Sequence, residues 1–107
     1  MTPPPAGGGA TPQPESVVYL LQSCRDGTCY IGWTMDVSRR LVEHNSGLSF
    51  FTRRKRPWQL VGFERFRSAE EAKARERALK RNPRMLQLFK KRMLNRAAVG
   101  RPRQVVG

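Results

Sequence analysis

The sequence predicts a small α+β domain, a three-stranded antiparallel sheet flanked by helices in the order β-β-α-β-α-α. Three observations lead there. Residues 17–21 and 29–34 are short β-branched and aromatic runs, and residues 59–66 alternate imperfectly between apolar and polar, as in strands. The apolar period lengthens to between three and four over residues 37–45 and from residue 69 onward, as in amphipathic helices. Turn and cap residues fall at the joints between these stretches.

Residues 1–16 hold five prolines and three consecutive glycines. That composition buries too little to offset the entropy of folding, so the segment reads as a disordered tail. The folded unit begins at Val17, where Val-Val-Tyr-Leu-Leu is β-branched and aromatic, and Cys29-Tyr30-Ile31-Gly32-Trp33-Thr34 repeats that character. Between them Asp26-Gly27 favours a turn, which makes the pair a hairpin. Asp36 stands where it can cap a helix over residues 37–45, with Val37, Leu41 and Val42 apolar and Gly47 offering a left-handed stop. The basic run Arg53-Arg54-Lys55-Arg56 ends at Pro57 and reads as a loop into the third strand, residues 59–66. Ser68-Ala69-Glu70-Glu71 is a capping box that opens a helix reaching Arg81. Pro83 suits the first turn of a last helix, whose stripe is Met85, Leu86, Leu88, Phe89 and Met93. Gly100 and Pro102 interrupt any period after Ala97, so the folded domain is expected over residues 17–95 and a basic flexible tail over 96–107.

The 107 residues carry 21 Lys and Arg against 8 acids, a net charge of +13 and a pI near 11.4. Such charge on a small body calls for a polyanionic partner, nucleic acid first. From Arg77 to the end there are ten basic residues and no acid. No apolar run approaches the roughly 18 residues of a membrane span, and the start lacks a secretory signal, so a cytoplasmic monomer is expected. Cys24, Cys29 and the one histidine, His44, leave a four-ligand zinc shell short.

No Ser-His-Asp triad, glycine-rich phosphate loop or metal-binding histidine pair is visible. The candidates are single residues. Arg40 and His44 lie four apart and share a helical face. Glu76, four after Ala72 and three before Leu79, places a carboxylate on an apolar stripe, where it needs an arginine partner or a hard cation. Tyr19 and Tyr30 stand on facing strands, a position where aromatics often pair simply to pack.

Several motifs follow one another at compatible spacing. Val17-Val18-Tyr19 is followed by Tyr30-Ile31-Gly32, Arg39-Arg40-Leu41, His44-Asn45-Ser46-Gly47, Pro57-Trp58-Gln59-Leu60-Val61 and Ala72-x-x-x-Glu76-x-x-Leu79-Lys80. In this order they resemble the GIY-YIG nuclease superfamily, and its small single-domain members in particular. The first motif departs from Gly-Ile-Tyr at two residues but keeps the tyrosine, and the second is intact. The resemblance spans residues 17–92. It implies hydrolysis of phosphodiester bonds with one divalent cation, Mg2+ or Mn2+, held by Glu76. Tyr19 would take the proton of the attacking water with His44 beside it. Arg40 would neutralise charge on the phosphate, and Tyr30 would hold the water or the phosphate. A phenol with a pKa of about 10 needs a cation and an acceptor to act as a base, and Arg40 and His44 could supply them. Gly32 would let the backbone approach another element closely.

Many catalytic members carry an Asn beyond the helical Glu, a region that reads Leu88 here; Asn82 and Asn95 fit that spacing poorly, so the role is either absent or filled by Asn45. The surface expected to bind nucleic acid comprises Arg39, Asn45, Arg53, Arg54, Lys55, Arg56, Lys80, Arg81, Lys90, Lys91 and Arg92. The substrate expected is single-stranded or branched DNA, in repair, recombination or DNA processing, with specificity set by the domain itself or by a partner protein. The competing reading is a noncatalytic nucleic-acid-binding protein on the same scaffold. Retention of Tyr19, Tyr30, Arg40, His44 and Glu76 together argues against it.

Overall fold

A computed structural model describes residues 15–100. The elements are β1 (Ser16–Ser23), β2 (Cys29–Thr34), α1 (Val37–Ser46), a single 3-10 turn (Arg53–Lys55), β3 (Trp58–Phe66), α2 (Ala69–Arg81) and α3 (Pro83–Gly100). The strands form one sheet in the order β2-β1-β3, antiparallel throughout. The class and order read from the sequence are those observed.

α1 ends at Ser46, one residue later than expected, and β3 starts at Trp58, one residue earlier; the limits of the folded domain also differ. Ser16, assigned to the tail, is the first residue of β1, pairs with Phe66 and is 1% exposed. The last helix does not stop at residue 95: Arg96, Ala97 and Ala98 are strong helix formers, and the first proline after them is Pro102, so α3 continues to Gly100. The remaining parts of both expected tails, residues 1–14 and 101–107, lie outside the described residues.

β1 is the central strand and is buried on both faces, which explains its unbroken apolar run. Its alternation divides the core in two. Val18 and Leu20 join Ile31, Ala72, Leu79, Phe89 and Met93 on the face covered by α2 and α3. Val17, Tyr19 and Leu21 join Trp58, Tyr30, Val37, Leu41, Leu60 and Phe63 on the face covered by α1. Truncating Leu20 to Ala would cost about 2–5 kcal/mol, as for a fully buried leucine.

α1 and α2 start at the caps expected for them, α1 also stops at the expected Gly47, and Asn82 adds a cap that the sequence reading did not name. Asp36 Oδ1 accepts the Arg39 N–H at 3.0 Å, and Gly47 closes α1 with φ 87°, a left-handed conformation that a residue with a Cβ rarely adopts. Ser68 Oγ accepts the Glu71 N–H at 3.1 Å, while Glu71 Oε1 accepts from Arg67 N at 3.1 Å. Asn82 ends α2, and its Oδ1 receives the N–H groups of Arg84 and Met85, both at 3.1 Å, capping α3. That capping task removes Asn82 from the candidates for a catalytic Asn.

The 3-10 turn is anchored to the hairpin tip. Ser23 Oγ donates to Lys55 O at 2.7 Å, and Lys55 Nζ reaches Asp26 Oδ2 at 3.0 Å and Thr28 Oγ1 at 3.1 Å. Thr28, through its backbone and hydroxyl, and then Lys55 hold the Asp26 carboxyl well below the usual carboxylate range.

Candidate active site

β1 and β2 place Tyr19 and Gly32 directly opposite each other. The Tyr19 ring lies over the glycine: a Cβ at position 32 would stand 2.6 Å from Tyr19 Oη and 2.8 Å from Cζ. The close approach expected of Gly32 is therefore to the phenol itself. Tyr30, opposite Leu21, projects to the same face.

His44 enters this face from the last turn of α1 and is fully buried. Its Nε2 lies 3.0 Å from Tyr19 Oη, and its Nδ1 lies 2.7 Å from Thr52 Oγ1, also fully buried. The ring centroids of Tyr19 and Tyr30 stand 6.0 and 5.0 Å from that of the histidine. Trp58 closes the aromatic cluster with its centroid 6.2 Å from Tyr30, and its Nε1 donates to Thr52 O at 2.8 Å.

Arg40, one turn before His44, donates to Glu43 Oε1 at 2.8 Å, and it lies near enough to Tyr19 to pull the hydroxyl pKa down. A neutral imidazole carries one N–H, so His44 either accepts from Tyr19 and donates to Thr52 or does the reverse; in the first tautomer the chain Tyr19–His44–Thr52 makes the imidazole the acceptor of the phenolic proton.

Burial pushes the Tyr19 hydroxyl up to about 12, outweighing the downward pull of Arg40, with Tyr30 and Glu76 adding to the rise. Desolvation, then the charge of Arg40, lowers the His44 pKa, which keeps the imidazole neutral at pH 7. The Tyr19 hydroxyl and then Glu43 raise Arg40, while Arg40 holds Glu43 below its ordinary value.

Glu76 arrives from α2 on the opposite side of the sheet. β2, the strand that carries Tyr30, is an edge strand of the sheet. The carboxylate comes near enough for its charge to raise Tyr19. Its partner is Lys80 Nζ at 2.9 Å, one turn on, rather than an arginine as expected; that ammonium also lies 5.8 Å from the Tyr30 ring centroid. Among the described residues no group of three or more His, Cys, Asp or Glu side chains gathers into a metal cage. A single carboxylate, 16% exposed, nevertheless suits a hard cation such as Mg2+, which keeps several waters and takes its other ligands from substrate phosphate.

The structure thus brings Tyr19, Tyr30, Arg40, His44 and Glu76 into one neighbourhood. It does not gather all the residues expected to bind nucleic acid. Asn45 has its amide engaged twice by the Trp58 backbone, accepting from N at 2.6 Å and donating to O at 2.9 Å, so it braces α1 against β3. The same engagement removes it as a substitute for the catalytic Asn. Arg92 pairs with Glu64 Oε2 at 3.2 Å beside Arg75, on the α3 side of β3. Lys90 and Lys91 share that helix. Lys55 is engaged by Asp26, and Lys80 by Glu76. Arg39, Arg53, Arg54, Arg56 and Arg81 remain exposed. Arg39 lies 3.3 Å from Glu43 in an exposed pair of little energetic weight. A cleft of about 420 Å³, bounded by Trp33, Met35, Arg39, Arg40 and Glu43, opens beside Arg40.

Two functional neighbours escaped the sequence reading. Glu43 was legible as the partner of Arg39 and Arg40 at helical spacings of four and three. Thr52 carries no such signal, because a loop residue that bonds a helix residue leaves no periodic trace.

Residues 15–91 match the GIY-YIG catalytic domain, and the chain belongs to that family, a family of nucleases. It is 45% identical over 71 residues to a UPF0213 protein of Streptococcus pneumoniae serotype 4, covering 65% of this chain and 71% of the relative. A UPF0213 protein of Syntrophus aciditrophicus is 40% identical over 80 residues, covering 71% and 91% respectively. The solution structure of a UPF0213 protein from Bacillus halodurans is 33% identical, with a TM-score of 0.48 over 82% of this chain and 99% of that one.

Proposed function

We propose that the protein is a divalent-metal-dependent endonuclease that hydrolyses DNA phosphodiester bonds, acting on single-stranded or branched substrates. The observation that carries this reading is the buried chain from Tyr19 Oη through His44 to Thr52, with Arg40 at the same hydroxyl and Glu76 close by.

The steps follow from the geometry. Tyr19 is 1% exposed whereas the Arg40 side chain is 42% exposed, so an incoming phosphate meets the guanidinium first. Glu43 holds that guanidinium in place, and charge building on the phosphorus oxygens is neutralised there. Water attacks phosphorus, forming one P–O bond as the P–O bond to the leaving oxygen breaks. Its proton passes to Tyr19 Oη while the phenolic proton passes to His44 Nε2. Because burial pushes the hydroxyl up to about 12, Tyr19 serves as a conduit rather than a stored base. The imidazolium keeps its Nδ1–H bond to Thr52, and the leaving oxygen takes its proton from solvent. Glu76 would hold the Mg2+ or Mn2+ ion, whose chemistry is to polarise the phosphoryl oxygen as a Lewis acid.

Among the described residues no helix is long and apolar enough to cross a membrane, and both cysteines are free, which suits action in the reducing cytoplasm. A cleavage assay on labelled single-stranded, duplex, flap and branched DNA, with Mg2+, with Mn2+ and with chelator, tests the proposal. Cleavage that requires the cation is expected. Binding to all four substrates with no cleavage under any condition would return the protein to the class of pure binders.

A further inference from the structure

Phe50 and Phe51 are 68% and 84% exposed, in a chain with only 8% aromatic residues. Their rings stand side by side, centroids 5.5 Å apart and nearly perpendicular at 86°, and the Arg53 guanidinium lies 4.9 Å from the Phe50 centroid. The turn that carries them is well fastened. Thr52, between Phe51 and Arg53, is fully buried, bonded to His44 through its hydroxyl and to Trp58 through its carbonyl. The N–H groups of Thr52 and Arg53 both return to Ser49 O, at 3.2 and 3.1 Å. One buried residue therefore pins the segment while its aromatic and cationic neighbours are held in solvent.

Two adjacent phenyl rings kept in water are unfavourable, and they gain most from a ligand that offers flat apolar faces. The same segment is strongly cationic. Arg53, Arg54, Lys55 and Arg56 line a cleft of about 540 Å³ together with Arg25, whose guanidinium donates to Arg54 O at 3.0 Å. The one acid there, Asp26, is already paired with Lys55. The complementary ligand is anionic along its length and flat in its side groups. An unpaired nucleic-acid strand has both properties, whereas a duplex keeps its base faces inside the stack.

We infer that Phe50 and Phe51 form a stacking platform for the unpaired bases of a single nucleic-acid strand, with Arg53 and Arg54 along its phosphates. The inference rests on the nuclease reading and gives that site its substrate form. Thr52 joins the platform to the catalytic chain, so a strand seated on Phe51 lies one residue from the threonine that orients His44.

The test compares the full chain with its Phe50→Ala/Phe51→Ala double variant, in chelator, by fluorescence anisotropy. The probes are an oligo-dT strand, the same strand with abasic sites, and a duplex of equal length. Both side chains are exposed, so the melting temperature should be unchanged and the comparison clean. The double variant should bind oligo-dT about tenfold or more weakly, bind the duplex within about twofold of wild type, and no longer distinguish oligo-dT from the abasic strand. The slope of affinity against salt should stay the same, because the substitutions remove no cation. Phe51→Trp should keep wild-type affinity. Unchanged oligo-dT binding, or equal weakening on strand and duplex, would overturn the inference. So would a wild-type dimer that the double variant converts to monomer, since the rings would then be a protein interface. Ring-dependent strand binding by a protein that cleaves nothing with Mg2+ would uphold the platform and remove the nuclease reading alone.

Discussion

Tyr19 and His44 together decide whether this site can move a proton. Tyr19→Phe removes the conduit and leaves the packing against Gly32 intact, so cleavage should fall on the order of a hundredfold or more with little change in melting temperature. A fall of only a few-fold would make Tyr19 a core aromatic. Thr52→Val leaves the buried His44 Nδ1 without its hydrogen-bond partner, which should cost about 1–3 kcal/mol of stability, and Thr52→Ser should restore it. The pH profile carries a second signature. Protonated His44 cannot accept from Tyr19, so kcat/KM should fall on an acid limb whose midpoint lies below the ordinary histidine value of 6.5. Stability should follow with a defined sign. The unfolded chain takes up the His44 proton more readily than the folded one, so stability is full above pH 6.5 and declines as pH drops below it. Tyr19 acts at the other end: its folded pKa is raised from 10.0 to about 12, so its contribution is full below pH 10.0 and is lost as pH rises through that interval. Melting temperatures across the pH range check both limbs.

At the scale of elements, the packing of β1 against β2 sets the position of the phenol. Gly32→Ala places a methyl group 2.6 Å from Tyr19 Oη in a core where His44 and Tyr30 leave the ring no retreat. That variant should lose about 1–3 kcal/mol of stability and at least tenfold in cleavage, read from a melting curve and a rate measured in parallel. Wild-type cleavage by Gly32→Ala would mean that the Tyr19 position does not matter to the reaction. The elements themselves were readable because local rules specify them: Asp36, Gly47, Ser68 and Pro83 mark helix ends by their own chemistry, and β1 alternates across two cores. The five residues proposed for the site were recognisable through their order along the chain. What lay beyond reach was set by tertiary structure. The bonding of Asn45 to the Trp58 backbone, the pairing of Arg92 with Glu64, and the Thr52 link to His44 each join residues that no periodicity connects. The rise of the Tyr19 pKa belongs to the same group, because desolvation depends on how the whole face is covered. The end of α3 differs for another reason: Gly100 and Pro102 signal a stop, but the helix-forming run before them carries the helix up to that signal.

For the whole molecule, a net charge of +13 makes association with nucleic acid electrostatic and strongly salt-dependent. Shortening the chain after Gly100 deletes Arg101 and Arg103 and leaves α3 complete. The fold should survive, and the salt slope for strand binding should flatten by up to roughly one unit for each phosphate that those arginines neutralise. An unchanged slope would assign the phosphates to Arg53 and Arg54 instead. The chemistry should be separable from this binding, because Glu76 sits outside the exposed basic surface and pairs with Lys80 at helical spacing, an interaction of small energetic value. The most direct measurement is therefore cleavage and affinity for one labelled single-stranded oligonucleotide, wild type against Glu76→Gln, in Mg2+. The account predicts that Glu76→Gln loses cleavage entirely while its dissociation constant stays within about twofold of wild type. Cleavage by Glu76→Gln at the wild-type rate would contradict it.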